Sequence, residues 1–388
     1  MLKMAVGQTE EIDGAYAAAD LLQQCAAGLD GAAPQAGLLL ACHDLEFEEF
    51  LAAIFEAHPD LRLIGCTTHA PISSASEYVE GSTTLTLFAS DVIDFTSGLG
   101  IGVANDVGLA AREAVLHAVA GTDKPPALAI ITPSVEGFDP SALSVALEEV
   151  LDGNVPVFGG GAVPDFPVTA PWEGGTQIFG RELVTDALPV LLLSGPLVVS
   201  VGVRHGWKPV GRKAVVTRSK HEQVYEIDGE PVIDFYRHYL GATAEPAVAN
   251  PLAIIDPETG HTYLRAPLAW DESEGSATFF GSVPEGSVVQ IAMASTDEII
   301  EGAQASVADA LSGFAEGVRP AGALISACAV RNLLLGTKTS IELETIKDGL
   351  GADITIAGFY AYGEIGPLEI NTPSRFHNET CVTVLIGT

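Results

Sequence analysis

The sequence lacks the short motifs that mark the commonest catalytic folds. Its 388 residues contain no GxxxxGK(S/T) phosphate loop, no GxSxG and no HExxH. The glycine-rich run at residues 98–103 lacks the third glycine of a dinucleotide fingerprint, and no convincing helix start follows it. The nine histidines are solitary, with no pair at the i, i+4 spacing of a helical metal site. Standard nucleotide, serine-hydrolase and zinc-protease interpretations therefore fail, and we expect neither a metal nor a cofactor.

Positive charge is scarce as well. Lysine and arginine number 18 against 51 acidic residues, so the formal net charge is −33. Nucleic acids and anionic lipid headgroups are bound by clustered Lys and Arg, so we expect neither as a partner. An acidic surface suits a saline cell interior, and compositional drift would produce it equally well. The hydrophobic share of 47% excludes a disordered chain.

Cysteines are few and widely spaced, and no CxxC pair occurs. Such cysteines are typically reduced and buried among apolar side chains. The first residues show no basic region followed by an apolar run, and no apolar stretch reaches the roughly 18 residues of a membrane helix. These observations predict a cytoplasmic protein. The five residues are Cys25, Cys42, Cys66, Cys328 and Cys381.

Strands and helices alternate in the first half of the chain. Residues 37–42, 61–66 and 83–89 predict strands, and apolar side chains at three- and four-residue spacing predict a helix over 46–57. The pattern continues with a strand at 127–132, a helix beginning at Asp139-Pro140 and ending at Asp152-Gly153, and a strand over 156–158 that leads into three glycines. This alternation is typical of an α/β fold.

The middle of the chain is rich in strands, and the second half returns to alternation. A capping box at Ser295 and Glu298 predicts a helix whose apolar face carries Ile300, Ala303, Val307, Leu311 and Phe314. We expect a mixed α/β fold of two mixed-sheet domains, 1–220 and 221–388, with flanking helices and a β-rich middle segment. The remaining predicted strands are 188–203 (broken at Gly195-Pro196), 214–217, 224–227, 287–293, 321–327, 353–359 and 379–386, and the remaining helices are 230–240 and 341–350.

Two candidate sites lie in the first half. Cys66 and Thr67 lie at the carboxyl end of a predicted strand, where open α/β sheets usually bind ligands, and an ordinary strand exit with a buried thiol is the favoured alternative. Gly160 lies in a run of three glycines followed by Asp165. Consecutive glycines allow close approach of a ligand or tight packing of two segments.

A third constellation combines three strand ends in the last seventy residues. If these ends are neighbours, Arg331, Tyr362, Glu364, His377 and Asn378 converge on one mouth. Arginine offers a planar fork for a carboxylate and glutamate can hold an ammonium group, so the set suits a zwitterion such as an amino acid. A structural polar network that closes the domain is the alternative.

At these residues the sequence resembles the FIST family of prokaryotic sensory proteins, which have an N-terminal and a C-terminal FIST domain. The segment 358–367 (GFYAYGEIGP), followed by FHNET at 376–380, is similar to the closing signature of the C-terminal domain. The CAVR segment at 328–331 is similar to its cysteine–arginine strand exit. Residues 64–68, 157–162, 205–209 and 224–240 resemble further family segments, whereas His69-Ala70-Pro71-Ile72 departs from the usual small residues.

The resemblance implies a non-catalytic sensing module for a small molecule such as an amino acid. Family members are often fused to output domains, and none fits after Thr388, so we expect a separate signalling partner; the oligomeric state stays open. Two alternatives remain: a cysteine-dependent enzyme with Cys328 as nucleophile, His377 as base and Glu364 orienting it, and an interaction scaffold without a ligand. The candidate ligand-binding residues are Cys66, Thr67, Gly160, Cys328, Arg331, Tyr360, Tyr362, Gly363, Glu364, His377 and Asn378.

Overall fold

Helices lie between strands along most of the chain in the computed structural model, which describes residues 1–151, 153, 155–163, 175–255 and 262–388. Asp165 lies outside the described residues. The helices are α1 (Gly14–Leu29), α2 (Phe47–Ala57), α3 (Val107–Val119), α4 (Ser141–Val150), α5 (Val232–Leu240), α6 (Thr296–Gly313), α7 (Ala329–Leu335) and α8 (Thr339–Leu350), with a 3-10 turn at Gly336–Lys338.

The strands follow in chain order, first those up to the middle of the chain and then the rest. They are β1 (Lys3–Thr9), β2 (Ala36–Ala41), β3 (Arg62–Thr67), β4 (Pro71–Ser73), β5 (Thr83–Ala89), β6 (Asp94–Ile101), β7 (Pro126–Ile131), β8 (Val157–Gly160), β9 (Gln177–Phe179), β10 (Glu182–Val184), β11 (Ala187–Ser194), β12 (Val198–Arg204) and β13 (Lys208–Lys220). They continue as β14 (Gln223–Ile227), β15 (Glu230–Pro231), β16 (Leu252–Ile255), β17 (Thr262–Arg265), β18 (Pro267–Asp271), β19 (Ser276–Phe279), β20 (Val288–Met293), β21 (Gly322–Cys328), β22 (Thr355–Ala361), β23 (Glu364–Pro367), β24 (Ser374–His377) and β25 (Cys381–Gly387).

In the described part of the chain these strands form four sheets. Sheet I has the order β1-β5-β2-β3-β9-β10, sheet II β24-β23-β8-β7-β11-β6, sheet III β12-β25-β21-β22-β4, and sheet IV β17-β16-β20-β13-β14-β19-β18 with β15 beside β14. Sheets I, II and III each contain one parallel pair, β2/β3, β7/β8 and β21/β22, among antiparallel neighbours. The predicted mixed α/β class is confirmed.

The predicted elements agree with the structure to within a few residues where the sequence pattern is strong. The strand at 83–89 matches β5, and the helix over 46–57 matches α2. The Ser295 side chain accepts from the backbone of Glu298 and the Glu298 side chain accepts in return, so the capping box of α6 is present. β1, α1 and α7 were not predicted.

The glycine-rich segment at 98–103 needs a correction, because a helix does follow it. α3 begins at Val107, and the side chain of Asp106 caps it by accepting from the backbone N–H of Leu109 at 2.9 Å. Gly98 and Gly100 lie on β6 directly against this helix. A Cβ at either position would fall within about 2.0 Å of a helix carbonyl oxygen, at Ala114 and Ala110 respectively. These glycines therefore serve helix–strand packing.

The buried face of α6 is also rotated relative to the prediction. Ala303 and Val307 are buried as expected, but Leu311 is 37% exposed. Gly302 and Ser306 instead lie on the buried face, where the Ser306 hydroxyl donates to the backbone oxygen of Gly202 at 3.0 Å. Small residues let the helix approach β12 closely, and a search for large apolar side chains does not detect that kind of contact.

The core is shared between sheets I, II and III. A central cluster combines Phe88 of sheet I, Phe158 of sheet II and Phe359 of sheet III, all nearly inaccessible to solvent. Outer clusters pack helices on each sheet: α1 and α2 on sheet I, α3 and α4 on sheet II, α6 and α8 on sheet III, and α5 on sheet IV. Cys25, Cys42, Cys66, Cys328 and Cys381 are all free and buried.

Strands from the two halves of the chain are exchanged between sheets. β4, from the first half, pairs with β22 in sheet III, and β23 pairs with β8 in sheet II. Residue 220 is the end of β13, in the hairpin that leads to β14. The division into folding units 1–220 and 221–388 stays a prediction. Within the described ranges, no helix has both the length and the apolar character to cross a membrane.

Candidate functional site

The candidate site forms where β21 and β22 end side by side. These strands are parallel, so Cys328 and Ala361 occupy the same register at the carboxyl edge of sheet III. The turn from β22 into β23 contains Tyr362 and Gly363. Gly363 has φ +78°, and a Cβ there would lie 2.3 Å from the ring of Phe376, so this turn requires glycine.

A small cavity opens at this edge, and we call it the Tyr362 pocket. Its volume is about 210 Å³, and its walls are mainly apolar, with no lysine or arginine among the lining residues. Such a pocket with a few polar groups is the usual form of a small-molecule site. The lining residues are Val248, Ala266, Leu268, Phe280, Cys328, Ala329, Val330, Leu333, Tyr362, Gly363 and Asn378.

Two crevices adjoin the Tyr362 pocket. One, of about 510 Å³, shares Leu268, Phe280 and Tyr362 with it, and the other, of about 250 Å³, shares Ala329 and Leu333. The first crevice also contains residues that follow β7, and the second contains residues that follow β3. The pocket itself lies at the carboxyl ends of β21 and β22, and the two crevices extend from it toward the residues that follow β7 and β3. Open α/β sheets bind ligands at such carboxyl edges.

Two fully buried carboxyl groups, Glu364 and Glu379, lie behind this pocket, and we call them the acid pair. Glu364 Oε2 accepts from the backbone N–H of Thr380 at 3.0 Å and from its hydroxyl at 2.7 Å. The Cys328 thiol, which lines the pocket, also donates to Glu364. Burial raises the pKa of Glu364 to about 8, against the hydrogen bonds of Thr380 and Cys328, which lower it.

Glu379 is the less satisfied member of the acid pair. Neither of its carboxyl oxygens has a hydrogen-bond partner among the described residues, and the same holds for Glu364 Oε1 and the buried hydroxyl of Ser326. Its backbone is left-handed, with φ +62°. Burial, and then the charge of Glu364, raise its pKa far above the ordinary range. Strained backbone and unpaired buried oxygens concentrate at functional sites.

Arg331 has a different environment from the one expected of a ligand contact. Its guanidinium makes five hydrogen bonds, which is its whole donor capacity. Two go to Glu342 Oε1, from Nε at 3.1 Å and from Nη2 at 2.5 Å. The other three go to the backbone oxygens of Ile299 at 2.7 Å, His205 at 2.7 Å and Glu379 at 3.2 Å. No donor of Arg331 remains for a ligand in this arrangement.

Tyr360 completes what we call the Arg331 network, which consists of Arg331, Glu342 and Tyr360. The Tyr360 hydroxyl donates to Glu342 Oε2 at 2.5 Å. All three side chains are buried, so the ion pair has an additional neutral hydrogen bond in place of water. Tyr360 also borders the 250 Å³ crevice, whereas Arg331 and Glu342 border neither that crevice nor the Tyr362 pocket.

His377 and Asn378 are consecutive in the chain, shortly before β25, but they border different cavities. The Nε2 atom of His377 lies 2.8 Å from the backbone oxygen of Gly366, and burial lowers its pKa to about 4. His377 borders a separate groove of about 820 Å³ beside Trp207. The amide of Asn378 donates to the backbone oxygen of His377 and accepts from the N–H of Ala266, each at 3.0 Å.

The candidates from the first half are located in packed interior. Cys66 belongs to the central core, and burial raises the pKa of its thiol. The Thr67 hydroxyl accepts from the N–H of Thr176 at 2.9 Å. A Cβ on Gly160 would lie 2.3 Å from that of Ala361, so the glycine allows sheets II and III to touch. None of the three lines the Tyr362 pocket.

The structure therefore separates the predicted residues: Arg331 and Tyr360 belong to the Arg331 network, His377 borders the groove beside Trp207, and Cys66, Thr67 and Gly160 lie in packed interior. Cys328, Tyr362, Gly363 and Asn378 line one pocket, and Glu364 lies directly behind it. The sequence analysis did not single out Glu379, nor the apolar lining from residues 248–280. The available signal for Glu379 was a carboxylate two residues before the apolar strand β25.

The family is established by two matches that together span most of the chain. A model of the FIST N domain matches residues 35–230, and a model of the FIST C domain matches residues 233–367. The chain belongs to the FIST family, as its closing segments predicted. FIST domains are sensory domains of signal transduction.

Relatives among curated proteins have no described function. An uncharacterised protein of Mycobacterium tuberculosis is 26% identical over 384 residues, which cover 95% of each chain. One from Mycobacterium bovis is 25% identical over the same length. Among solved structures, the cyanuric acid hydrolase from A. caulinodans aligns over 100% of this chain and 99% of its own, with 8% identity and a TM-score of 0.37. A similarity at that level does not establish a shared fold.

Proposed function

We propose that this protein is a non-catalytic small-molecule sensor whose ligand occupies the Tyr362 pocket. The supporting observation is the pocket itself, an apolar cavity at the carboxyl ends of β21 and β22 that residues of sheet IV partly cover. The lining residues all lie between positions 248 and 378, so a ligand there would contact α7, the ends of sheet III and residues of sheet IV. Its binding would thus change how sheet IV packs against α7 and sheet III, which is a change that a separate signalling protein can detect.

The same geometry disfavours catalysis by Cys328. A nucleophilic cysteine needs its thiolate form and a neighbouring base. Burial, and then the charges of Glu364 and Glu379, raise the pKa of the Cys328 thiol. The Nε2 atom of His377, the base of that hypothesis, is directed to the backbone of Gly366. We therefore expect Cys328 to be inert toward iodoacetamide at neutral pH.

The sensor hypothesis is tested with a variant that fills the pocket. Ala329 is half-buried in the first turn of α7 and lines the pocket, so Ala329→Phe should occlude it. Ala142, half-buried in the first turn of α4 and outside the lining, provides the matched control Ala142→Phe. The wild-type chain and both variants are screened by thermal shift and calorimetry against amino acids, amines, alcohols and carboxylic acids.

A ligand at about a hundred times its Kd should stabilise the wild-type chain and Ala142→Phe by about 2.7 kcal/mol. Ala329→Phe should lose that effect, because the side chain takes the space of the ligand. The sensor hypothesis is wrong if no compound stabilises the wild-type chain, or if Ala329→Phe binds the same compound equally well.

A further inference from the structure

The Tyr362 pocket is asymmetric in charge. Its lining contains no cation, and Arg331 has all five donors occupied. The other buried arginine nearby, Arg265 beside the lining residue Ala266, donates to three backbone oxygens and to the Ser141 hydroxyl. An incoming carboxylate would therefore have no charged partner, and burial of an unpaired charge is unfavourable. The carboxylate half of a zwitterion has no matching group here, so the expectation of an amino acid is not supported on that side.

A positively charged ligand group would find several hydrogen-bond acceptors near the pocket. Glu364 Oε1, both carboxyl oxygens of Glu379 and the Ser326 hydroxyl are buried, and they lack partners among the described residues. Both glutamates immediately follow residues that line the pocket, Gly363 and Asn378. Cys328 connects the pocket with the acid pair, because it lines the pocket and its thiol donates a hydrogen bond to Glu364.

Charge balance shows what is missing from this cluster. Arg331 carries one positive charge, and the buried carboxylate of Glu342 neutralises it through a contact of 2.5 Å. Among the described residues, Arg331 is the only cation whose charge lowers the pKa of Glu364 or Glu379. Two further negative charges in a dry interior would be very unfavourable, so the pair must hold protons or receive a cation. Among the described residues, no group of side chains has the arrangement of a metal site.

We propose that the ligand of the Tyr362 pocket is a small amine with an apolar body, whose ammonium group is bound by the acid pair. This inference rests on the proposed sensing function and specifies its ligand. The apolar part fills the pocket, and the nitrogen takes the place at Glu364 that the Cys328 thiol now occupies. The amine enters as an ammonium ion, the O–H bond of the Glu364 carboxyl breaks, the proton passes to solvent, and N–H···O bonds form to the carboxylate.

The exchange predicts a pH dependence that depends on the groups facing Glu364. These are Cys328 from β21, Arg331 from α7, and Thr380 and Glu379 at the start of β25. The pKa of the Cys328 thiol is raised and Arg331 is permanently charged, so the protonation states of these two groups do not change between pH 6 and 8. Because one carboxyl proton competes with the ligand, amine affinity should rise about tenfold from pH 6 to 7 and less steeply as the pH approaches the carboxyl pKa of about 8.

The experiment compares three compounds that share a carbon skeleton: 3-methylbutylamine, 3-methylbutan-1-ol and 3-methylbutanoate. Calorimetry in two buffers of different ionisation enthalpy measures the protons released. We expect the amine alone to bind tightly, with about one proton released per molecule. Glu364→Gln keeps the Thr380 contacts but removes the charge, and should weaken amine binding about 10- to 100-fold and remove the pH slope.

Glu136→Gln is the control, because Glu136 borders the adjoining 510 Å³ crevice but not the acid pair. It should bind the amine as the wild type does. Glu379→Gln is the second variant at the site, with a weaker effect expected in the same direction. Should Glu364→Gln fail to fold, the three-compound comparison on the wild-type chain decides the matter alone.

The outcomes separate this inference from the sensor hypothesis. Equal binding of the alcohol or the carboxylate, or amine binding without proton release, overturns the amine inference. If another metabolite binds the wild-type chain and Ala329→Phe abolishes that binding while the amine fails, the sensor hypothesis stands and the amine inference is wrong. If no compound of any class binds, both are wrong.

Discussion

The Arg331 network and the acid pair are both buried charge clusters, yet they differ in how their hydrogen bonds are satisfied. Five bonds satisfy the guanidinium of Arg331, and Glu342 accepts from both Arg331 and Tyr360. In the acid pair, three of four carboxyl oxygens lack a described partner. The Arg331 network connects α6, α7, α8 and the segment that leads into β25. The acid pair lies behind the Tyr362 pocket, and its oxygens can still accept hydrogen bonds from a ligand.

The largest effect is expected from breaking the satisfied cluster. Arg331→Ala would leave Glu342 charged and unpaired in the interior, together with three backbone oxygens, so we expect a loss of roughly 3–5 kcal/mol in the free energy of unfolding. Urea denaturation measures it. The double variant Arg331→Met/Glu342→Leu should be less destabilised than the single one, since no unpaired charge remains. A single variant as stable as the wild-type chain would contradict the structural role of the network.

A somewhat smaller effect is expected from the acid pair, and it should depend on pH. The folded-state pKa of Glu364, about 8, lies above its ordinary value of 4.5, so the folded chain binds the proton more tightly than the unfolded chain. Its contribution to stability is complete below pH 4.5 and is lost as the pH rises to about 8. We expect roughly 3–4 kcal/mol of this decline to come from Glu364.

The measurement is a series of denaturation curves between pH 5 and 9. Glu364→Gln should remove the part of the decline due to Glu364, and Glu364→Gln/Glu379→Gln should remove it almost entirely. Glu56→Gln, at an exposed glutamate of α2, should follow the wild-type curve closely. If the wild-type chain and the double variant decline in parallel, the carboxyl groups are not protonated in the folded state.

The sequence predicts those features of the molecule that depend on local patterns, and it does not predict those that depend on tertiary packing. The α/β class, β5, α2 and the capping box at Ser295 follow from local patterns of apolar and capping residues. The closing motif identified the family. The partner of Arg331 did not follow, because Glu342 is eleven residues away on α8 and its pairing depends on tertiary packing.

The pocket illustrates the same limit at the candidate site. Cys328, Tyr362, Gly363 and Asn378 come from strand ends that the sequence marked correctly. Leu268 lies on β18 of sheet IV and Phe280 directly follows β19, and the placement of that sheet over the ends of sheet III has no local signal. Arg331 was predicted to be a ligand contact because of its charge. Its five hydrogen bonds within the protein, which the sequence does not show, satisfy all its donors.

The most direct test of the acid pair is infrared spectroscopy of its protonation. The account predicts that the wild-type chain at pH 7 shows the carbonyl stretch of protonated carboxyl groups, that Glu364→Gln/Glu379→Gln lacks this band, and that an amine ligand reduces it. A wild-type spectrum identical to that of the double variant at pH 7 would contradict the central claim, because both glutamates would then be ionised beneath the pocket.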